Sequence, residues 1–106
     1  MAHEFSQRVW ELALSIPEGR VTTYGTIARA AGAGPMASRS ISSILSKSPN
    51  PNVIPWHRIV YAGGKVWLST ENKVRRRKLY KREGIEVNSR GYITNFNDVF
   101  FDFSEL

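Results

Sequence analysis

VTTYGTIARAAGAGPMASRSISSILSK, residues 21–47, holds two short helical patterns separated by a tight turn. Val21 and Thr22 are β-branched and extended by preference, and they lead into Thr23, whose hydroxyl suits the N-cap of a helix over 24–31. Gly32 stops that helix, and Gly32-Ala33-Gly34-Pro35 reads as a turn. A further helix over 36–47 places Ala37, Ile41, Ile44 and Leu45 on one face, while Arg39, Ser40, Ser42, Ser43 and Ser46 fall largely elsewhere. The pair has the pattern of a helix-turn-helix.

Upstream, Phe5, Val9, Leu12, Ala13 and Ile16 recur at helical spacing over 3–16, and Pro17-Glu18-Gly19 ends the pattern. Downstream, two prolines in Ser48-Pro49-Asn50-Pro51-Asn52 forbid continuation of the helix and predict an exposed loop. Val53-Ile54-Pro55 and Ile59-Val60-Tyr61 flank Trp56-His57-Arg58. Ala62-Gly63-Gly64-Lys65 then turns the chain into Val66-Trp67-Leu68, which predicts a small hairpin or wing. A basic helix follows between Glu71 and Glu83, stopped by Gly84. Residues 86–106 alternate weakly around Tyr92 and Ile93, and the tail over 92–106 is acidic and aromatic. The expected fold is mainly α with a small β hairpin, a winged helix-turn-helix-like domain covering 1–106 as one unit.

Composition agrees with one unit. The 106 residues are 42% apolar and include three Trp, four Tyr and five Phe, enough for one core and no second domain. The net charge of +6 and pI near 10.1 suit a polyanion, because Lys and Arg displace counterions condensed on phosphates. A basic surface kept for solubility has similar weight on charge alone. Ten of the fifteen Lys and Arg lie between Arg58 and Arg90, against three acids there. Arg75-Arg76-Arg77-Lys78 spans a full helical turn and cannot all face one groove, so none of the four is assigned a contact. The chain has no cysteine, which removes disulfides, thiolate metal sites and thiol catalysis. His3 and His57 are too few for a histidine metal cluster, and no metal or cofactor is expected. The start lacks the regions of a signal peptide and no apolar run approaches a membrane span, so an intracellular, non-membrane protein acting as a monomer is expected.

Small serines let a helix approach a groove closely, and their hydroxyls bond phosphates. Arg39 stands nearly alone on that face. It reads either as a surface arginine near phosphates or as a long cation that enters the base stack. Within Pro55-Trp56-His57-Arg58-Ile59, Trp56 by itself reads as a core aromatic, His57 as a satisfied structural histidine and Arg58 as a surface charge.

Together Ile16-Pro17-Glu18-Gly19, Thr23-Tyr24-Gly25-Thr26-Ile27-Ala28, Ala37-Ser38-Arg39-Ser40-Ile41, Ile54-Pro55-Trp56-His57-Arg58-Ile59 and Glu83-Gly84 make residues 5–84 resemble the DNA-binding and active-site domain of the O6-alkylguanine-DNA alkyltransferases. Trp56 occupies the position of their nucleophilic cysteine in a Pro-Cys-His-Arg motif. An indole has no lone pair released by deprotonation for attack on an ether carbon, so alkyl transfer is lost. The combination resembles the alkyltransferase-like proteins, which keep the lesion site, replace the cysteine and signal to nucleotide excision repair.

The resemblance implies a non-enzymatic sensor of O6-alkylguanine in double-stranded DNA. Tyr24 would crowd the target phosphate and help rotate the nucleotide outward, and Arg39 would take the vacated place in the stack. The recognition helix would lie in the minor groove. Trp56 and Ile59 would line the lesion pocket with Tyr24, and Thr23, Ser40 and Ser43 would contact backbone or groove. His57, Arg58 and Glu83 would persist as a structural network with no thiol to activate. Excision-repair damage-recognition proteins are the implied partners. Ser48 departs from the family's hinge asparagine, and Trp67 departs from its glycine-containing lid. The aromatic tail is expected to cover the core or to dock a repair partner. Two other readings compete: a hydrolase using His57 supported by Glu83, and a regulator of undamaged DNA. The first lacks a metal or a neighbouring acid, and the second lacks Asn or Gln on the recognition helix for bidentate readout.

Overall fold

The computed structural model describes residues 2–34 and 37–105, so the expected turn at Pro35 and helix start at Met36 lie outside the described residues. In chain order the elements are α1 (Ala2–Leu14), β1 (Thr22–Thr23), α2 (Tyr24–Ala30), α3 (Ser38–Ser46), β2 (Ile59–Val60), α4 (Lys73–Glu83) and α5 (Phe96–Val99), with short 3-10 turns between several of them.

The helices form for the reasons visible in their residues. Thr23 is extended (φ −107°, ψ 160°), and its hydroxyl accepts the Thr26 amide at 3.1 Å, capping α2. Ile41 and Leu45, one helical turn apart on α3, are fully buried, while Arg39, Ser40, Ser42 and Ser43 are exposed. Before α4, Ser69 and Asn72 exchange hydrogen bonds of 2.7 and 3.1 Å, which turns the chain into the helix. Gly84 ends α4 at φ 77°, where its amide reaches back to the Tyr80 and Lys81 carbonyls.

Two apolar clusters divide the interior. α1, α2 and α3 enclose Val9, Ala13, Ile27, Ala28, Ile41 and Leu45, joined by Ile54 and Ile59. The second cluster gathers Val21, Val60, Val66, Tyr80, Ile85, Ile93 and Val99. β2 runs between the clusters, with Ile59 in one and Val60 in the other.

The expected architecture is present, mainly helical with a very small sheet, but the strand partner differs from a hairpin. β2 pairs in parallel with β1, Thr22 opposite Ile59 and Thr23 opposite Val60. The Gly63-Gly64 turn does reverse the chain, closed by the Tyr61 amide on the Lys65 carbonyl at 2.9 Å. The arm that follows pairs further on, with the Val66 amide on the Gly91 carbonyl at 2.8 Å and a bridge from Lys65 to Tyr92. The reason is burial: Ile59 and Val60 need backbone partners inside the molecule, and fully buried Thr22 supplies them. A parallel pair requires a long crossover, and α2, α3 and the loop after them are that crossover.

The loop after α3 contains a 3-10 turn, Pro51–Val53, with proline in the first turn where its missing N–H costs nothing. The tail lies on the core: the Val21 amide donates to the Val99 carbonyl at 2.9 Å and the Phe101 amide to the Val21 carbonyl at 2.7 Å. Arg20 clasps it, donating to the carbonyls of Val99 and Phe100 and to the Glu105 carboxylate. No helix among the described residues is long and apolar enough to cross a membrane.

Candidate nucleic-acid interface

The N-terminus of α2, the serine face of α3 and the turn after β2 surround an open cleft of about 620 Å³. It is lined by Thr23, Tyr24, Gly25, Thr26 and Arg29 at α2, by Ser38, Arg39 and Ser42 of α3, by Tyr61, Ala62 and Gly63 after β2, and by Phe96 and Phe100. The succession of α2 and α3 thus brings Tyr24 and Arg39 into the lining of one opening.

Arg39 makes no hydrogen bond or ion pair among the described residues, and its side chain is exposed. Tyr24 is half-buried, and its ring lies 5.8 Å from that of Tyr61. Burial raises its pKa, the neighbouring Tyr61 hydroxyl adds to that rise, and the charge of Arg76 opposes it. The phenol therefore keeps its proton at neutral pH and is a hydrogen-bond donor towards an anion.

The other expected site residues are distributed around this cleft. Thr23 lines it, while Ser40 and Ser43 lie on the exposed part of α3, and the serines that reach the cleft are Ser38 and Ser42. Trp56 and Ile59 are outside its lining. Ile59 is buried in β2, and half-buried Trp56 packs on the helical cluster with its indole N–H donating to the Pro51 carbonyl at 3.1 Å. The indole nitrogen is thereby committed to holding the loop, which leaves only the ring for contact with a ligand. Arg29, Tyr61, Phe96 and Phe100 were not identifiable as cleft residues from sequence. The last two are four residues apart with rings 5.4 Å from each other, a helical spacing that hints at a shared face but not at what it meets.

His57, Arg58 and Glu83 come together as one network. The Glu83 carboxylate is 1% exposed, and all its principal acceptor positions are occupied. Oε1 accepts from the Gly19 amide and Arg58 Nε, both at 3.0 Å, and Oε2 accepts from Arg58 Nη2 at 3.0 Å and meets His57 Nε2 at 2.7 Å. Arg58 Nη1 also donates to the Ile16 carbonyl at 3.2 Å. Burial pushes the Glu83 pKa up, but the hydrogen bonds from Arg58, Gly19 and His57 together outweigh it and hold it at about 2. Since that carboxylate only accepts, His57 Nε2 must carry the proton of the shared bond. Burial lowers the His57 pKa against the raising effect of Glu83, so the ring is neutral at pH 7. Gly19 fits because φ is +84° and a Cβ there would sit 3.2 Å from the Glu83 carbonyl oxygen.

No group of three or more His, Cys, Asp or Glu among the described residues is arranged to hold a metal ion. With no cysteine in the chain, the network at residues 57, 58 and 83 faces no thiol.

Comparison with known proteins places these features. A family model, the DNA binding domain of 6-O-methylguanine DNA methyltransferase, matches residues 4–85. The DNA base-flipping protein of Escherichia coli strain K12 is 40% identical over 89 residues, which cover 84% of this chain and 68% of that protein. The protein of the same description from Vibrio parahaemolyticus is 33% identical over 90 residues, 85% of this chain and 89% of its own length. Among solved structures, S. pombe Atl1 in complex with damaged DNA containing O6-carboxymethylguanine shares 28% identity and a TM-score of 0.73, covering 94% of this chain and 96% of Atl1. The chain belongs to the family of the 6-O-methylguanine DNA methyltransferase DNA-binding domain, and it is one of its alkyltransferase-like members.

Proposed function

We propose that the protein is a non-enzymatic sensor that binds O6-alkylguanine in duplex DNA by rotating the nucleotide out of the stack. The observation that carries this reading is that Arg39, exposed and unpartnered among the described residues, lines the same cleft as Tyr24. A long cation on a face of small serines reaches into a groove, and a neutral phenol in the same cleft presses on the phosphate of the nucleotide being expelled. Extrusion costs a few kcal/mol and less for a poorly pairing alkylated base, so lesion preference arises without any alkyl chemistry. The base-flipping description of the E. coli and Vibrio relatives and the damaged DNA held by Atl1 support the same reading.

Trp56 offers a ring face to the extruded base, and Ile59 the backbone beside it. His57, Arg58 and Glu83 act as a brace. A carboxylate held at about 2 and saturated with donors is a poor base, which weighs against hydrolysis assisted by His57 and Glu83. The marked duplex would then be handed to nucleotide excision repair proteins. Equilibrium binding at near-physiological salt to two duplexes differing only in O6-methylguanine or guanine tests the sensor. Preference for the lesion is expected, with the DNA recovered chemically intact. Equal affinity would reject the reading in favour of a regulator of undamaged DNA.

A further inference from the structure

A second groove adjoins the cleft. Tyr61 lines both, and beyond it the groove of about 590 Å³ is lined by Lys65, Trp67, Lys73, Arg77 and Arg90. Lys65 is fixed in place, its ammonium donating to the Arg90 carbonyl at 2.7 Å and lying 4.8 Å from the centre of the Tyr92 ring. Lys73, Arg77 and Arg90 have no carboxylate partner among the described residues. The run Arg75-Arg76-Arg77-Lys78 is sorted by the helix. Arg77 faces this groove, and Arg76 turns in against the Trp67 ring at 5.2 Å. Arg75 and Lys78 lie with Arg82 on another face of α4.

We propose that this groove is a second DNA-contacting surface, holding through Lys73, Arg77 and Arg90 the phosphate backbone of the strand that leaves the Tyr24–Arg39 cleft past Tyr61. The inference rests on the DNA-binding reading above and extends it. Two observations select this occupant. The groove and the cleft share Tyr61 in their linings, and the groove's cations, without carboxylate partners among the described residues, are complementary to a chain of phosphates spaced along a backbone.

Each phosphate neutralised releases condensed counterions, so the salt dependence of affinity counts the contacts. Binding to the O6-methylguanine duplex would be measured over a range of salt for the intact chain, for the groove variant Lys73→Gln/Arg77→Gln/Arg90→Gln, and for a control variant Arg75→Gln/Lys78→Gln/Arg82→Gln with the same charge loss on the other face. The groove variant is expected to flatten the slope of log K against log salt by about 2 to 3, at about 0.9 per contact, and the control by less than about 1. The charge-preserving variant Lys73→Arg/Arg77→Lys/Arg90→Lys should keep the original slope, and thermal unfolding of every variant separates lost contacts from lost folding. Equal flattening in groove and control variants would overturn the proposal, because net charge alone would explain it. An unchanged slope in the groove variant would overturn it too and leave an acidic protein surface as the occupant. Lesion preference of the intact chain is read separately from the slope. Its absence would reject the sensor, while the slopes would still decide the groove.

Discussion

Arg39 and Ser48 represent opposite ways in which a polar side chain stands alone. Arg39 is exposed and solvated, so leaving it unpaired costs nothing until DNA arrives. Arg39→Ala is expected to weaken binding to an O6-methylguanine duplex by about tenfold to a hundredfold, the equivalent of one stacked contact of ~1–3 kcal/mol. Fold and thermal stability should be unchanged, and a titration with unaltered affinity would reject the finger. Ser48 is 8% exposed, and its hydroxyl has no hydrogen-bond partner among the described residues. An unsatisfied buried hydroxyl costs ~1–3 kcal/mol, so Ser48→Ala should stabilise the protein by about 1 kcal/mol. A raised urea midpoint at constant slope would show it, and a lowered midpoint would mean that the hydroxyl is bonded in solution. Both residues were marked by sequence, Arg39 as the lone cation of a serine face and Ser48 as a departure at a hinge. Tyr61 and Arg29 carried no such mark, because their place at the cleft comes from the pairing of β2 with β1, the strand that leads into α2.

At the scale of elements, the C-terminal end of α4 closes the network through Glu83. Its pKa falls from an ordinary 4.5 to about 2, so the carboxylate's contribution is present above pH 4.5 and is lost as pH drops towards 2. The displacement corresponds to roughly 3 kcal/mol. His57, lowered by burial, acts in the same direction, because below about pH 6.5 the unfolded chain takes up its proton first. Urea unfolding at pH 7, 5 and 3 should therefore show steadily falling stability. Glu83→Gln should be destabilised by ~3–5 kcal/mol at pH 7, as expected when one partner of a buried pair is removed, and should have a flatter profile below pH 4.5. An equally steep acid limb in the variant would assign the acid sensitivity to other groups. The helices themselves were legible because their signals are local: the Thr23 cap, the α3 face of Ile41 and Leu45, and Gly84 at the stop. The pairing of β2 was not, since two-residue strands are too short to show alternation and the partner of Ile59-Val60 lies across residues 24–58. The nearby Gly63-Gly64 turn pointed to a local partner, and burial chose a distant one.

Across the whole molecule, the tail covers both clusters, with Val99 inside the second, Phe96 packed against the second and Phe103 against the first. Phe101 is 2% exposed and its amide is bonded to Val21, so Phe101→Ala is expected to cost ~3–5 kcal/mol, measured by denaturant unfolding. A loss below about 1 kcal/mol would show that the tail is an accessory. Its aromatics were visible in sequence as material for a core or for a partner, and the structure packs Phe96 and Phe103 on the two clusters while Phe96 and Phe100 also line the cleft. The ladder from Val99 through Val21 to Phe101 also has a dynamic consequence. The Val21 and Phe101 amides are locked by each other's segments, and Val21 leads directly into β1 and the helices that follow. In deuterium exchange these two protons should be released together, at the free energy of global opening, while the solvent-facing turns exchange by local fluctuation. Lesion-bearing DNA would slow both protons equally, because a ligand of the folded state protects every site that opens only when the whole chain does.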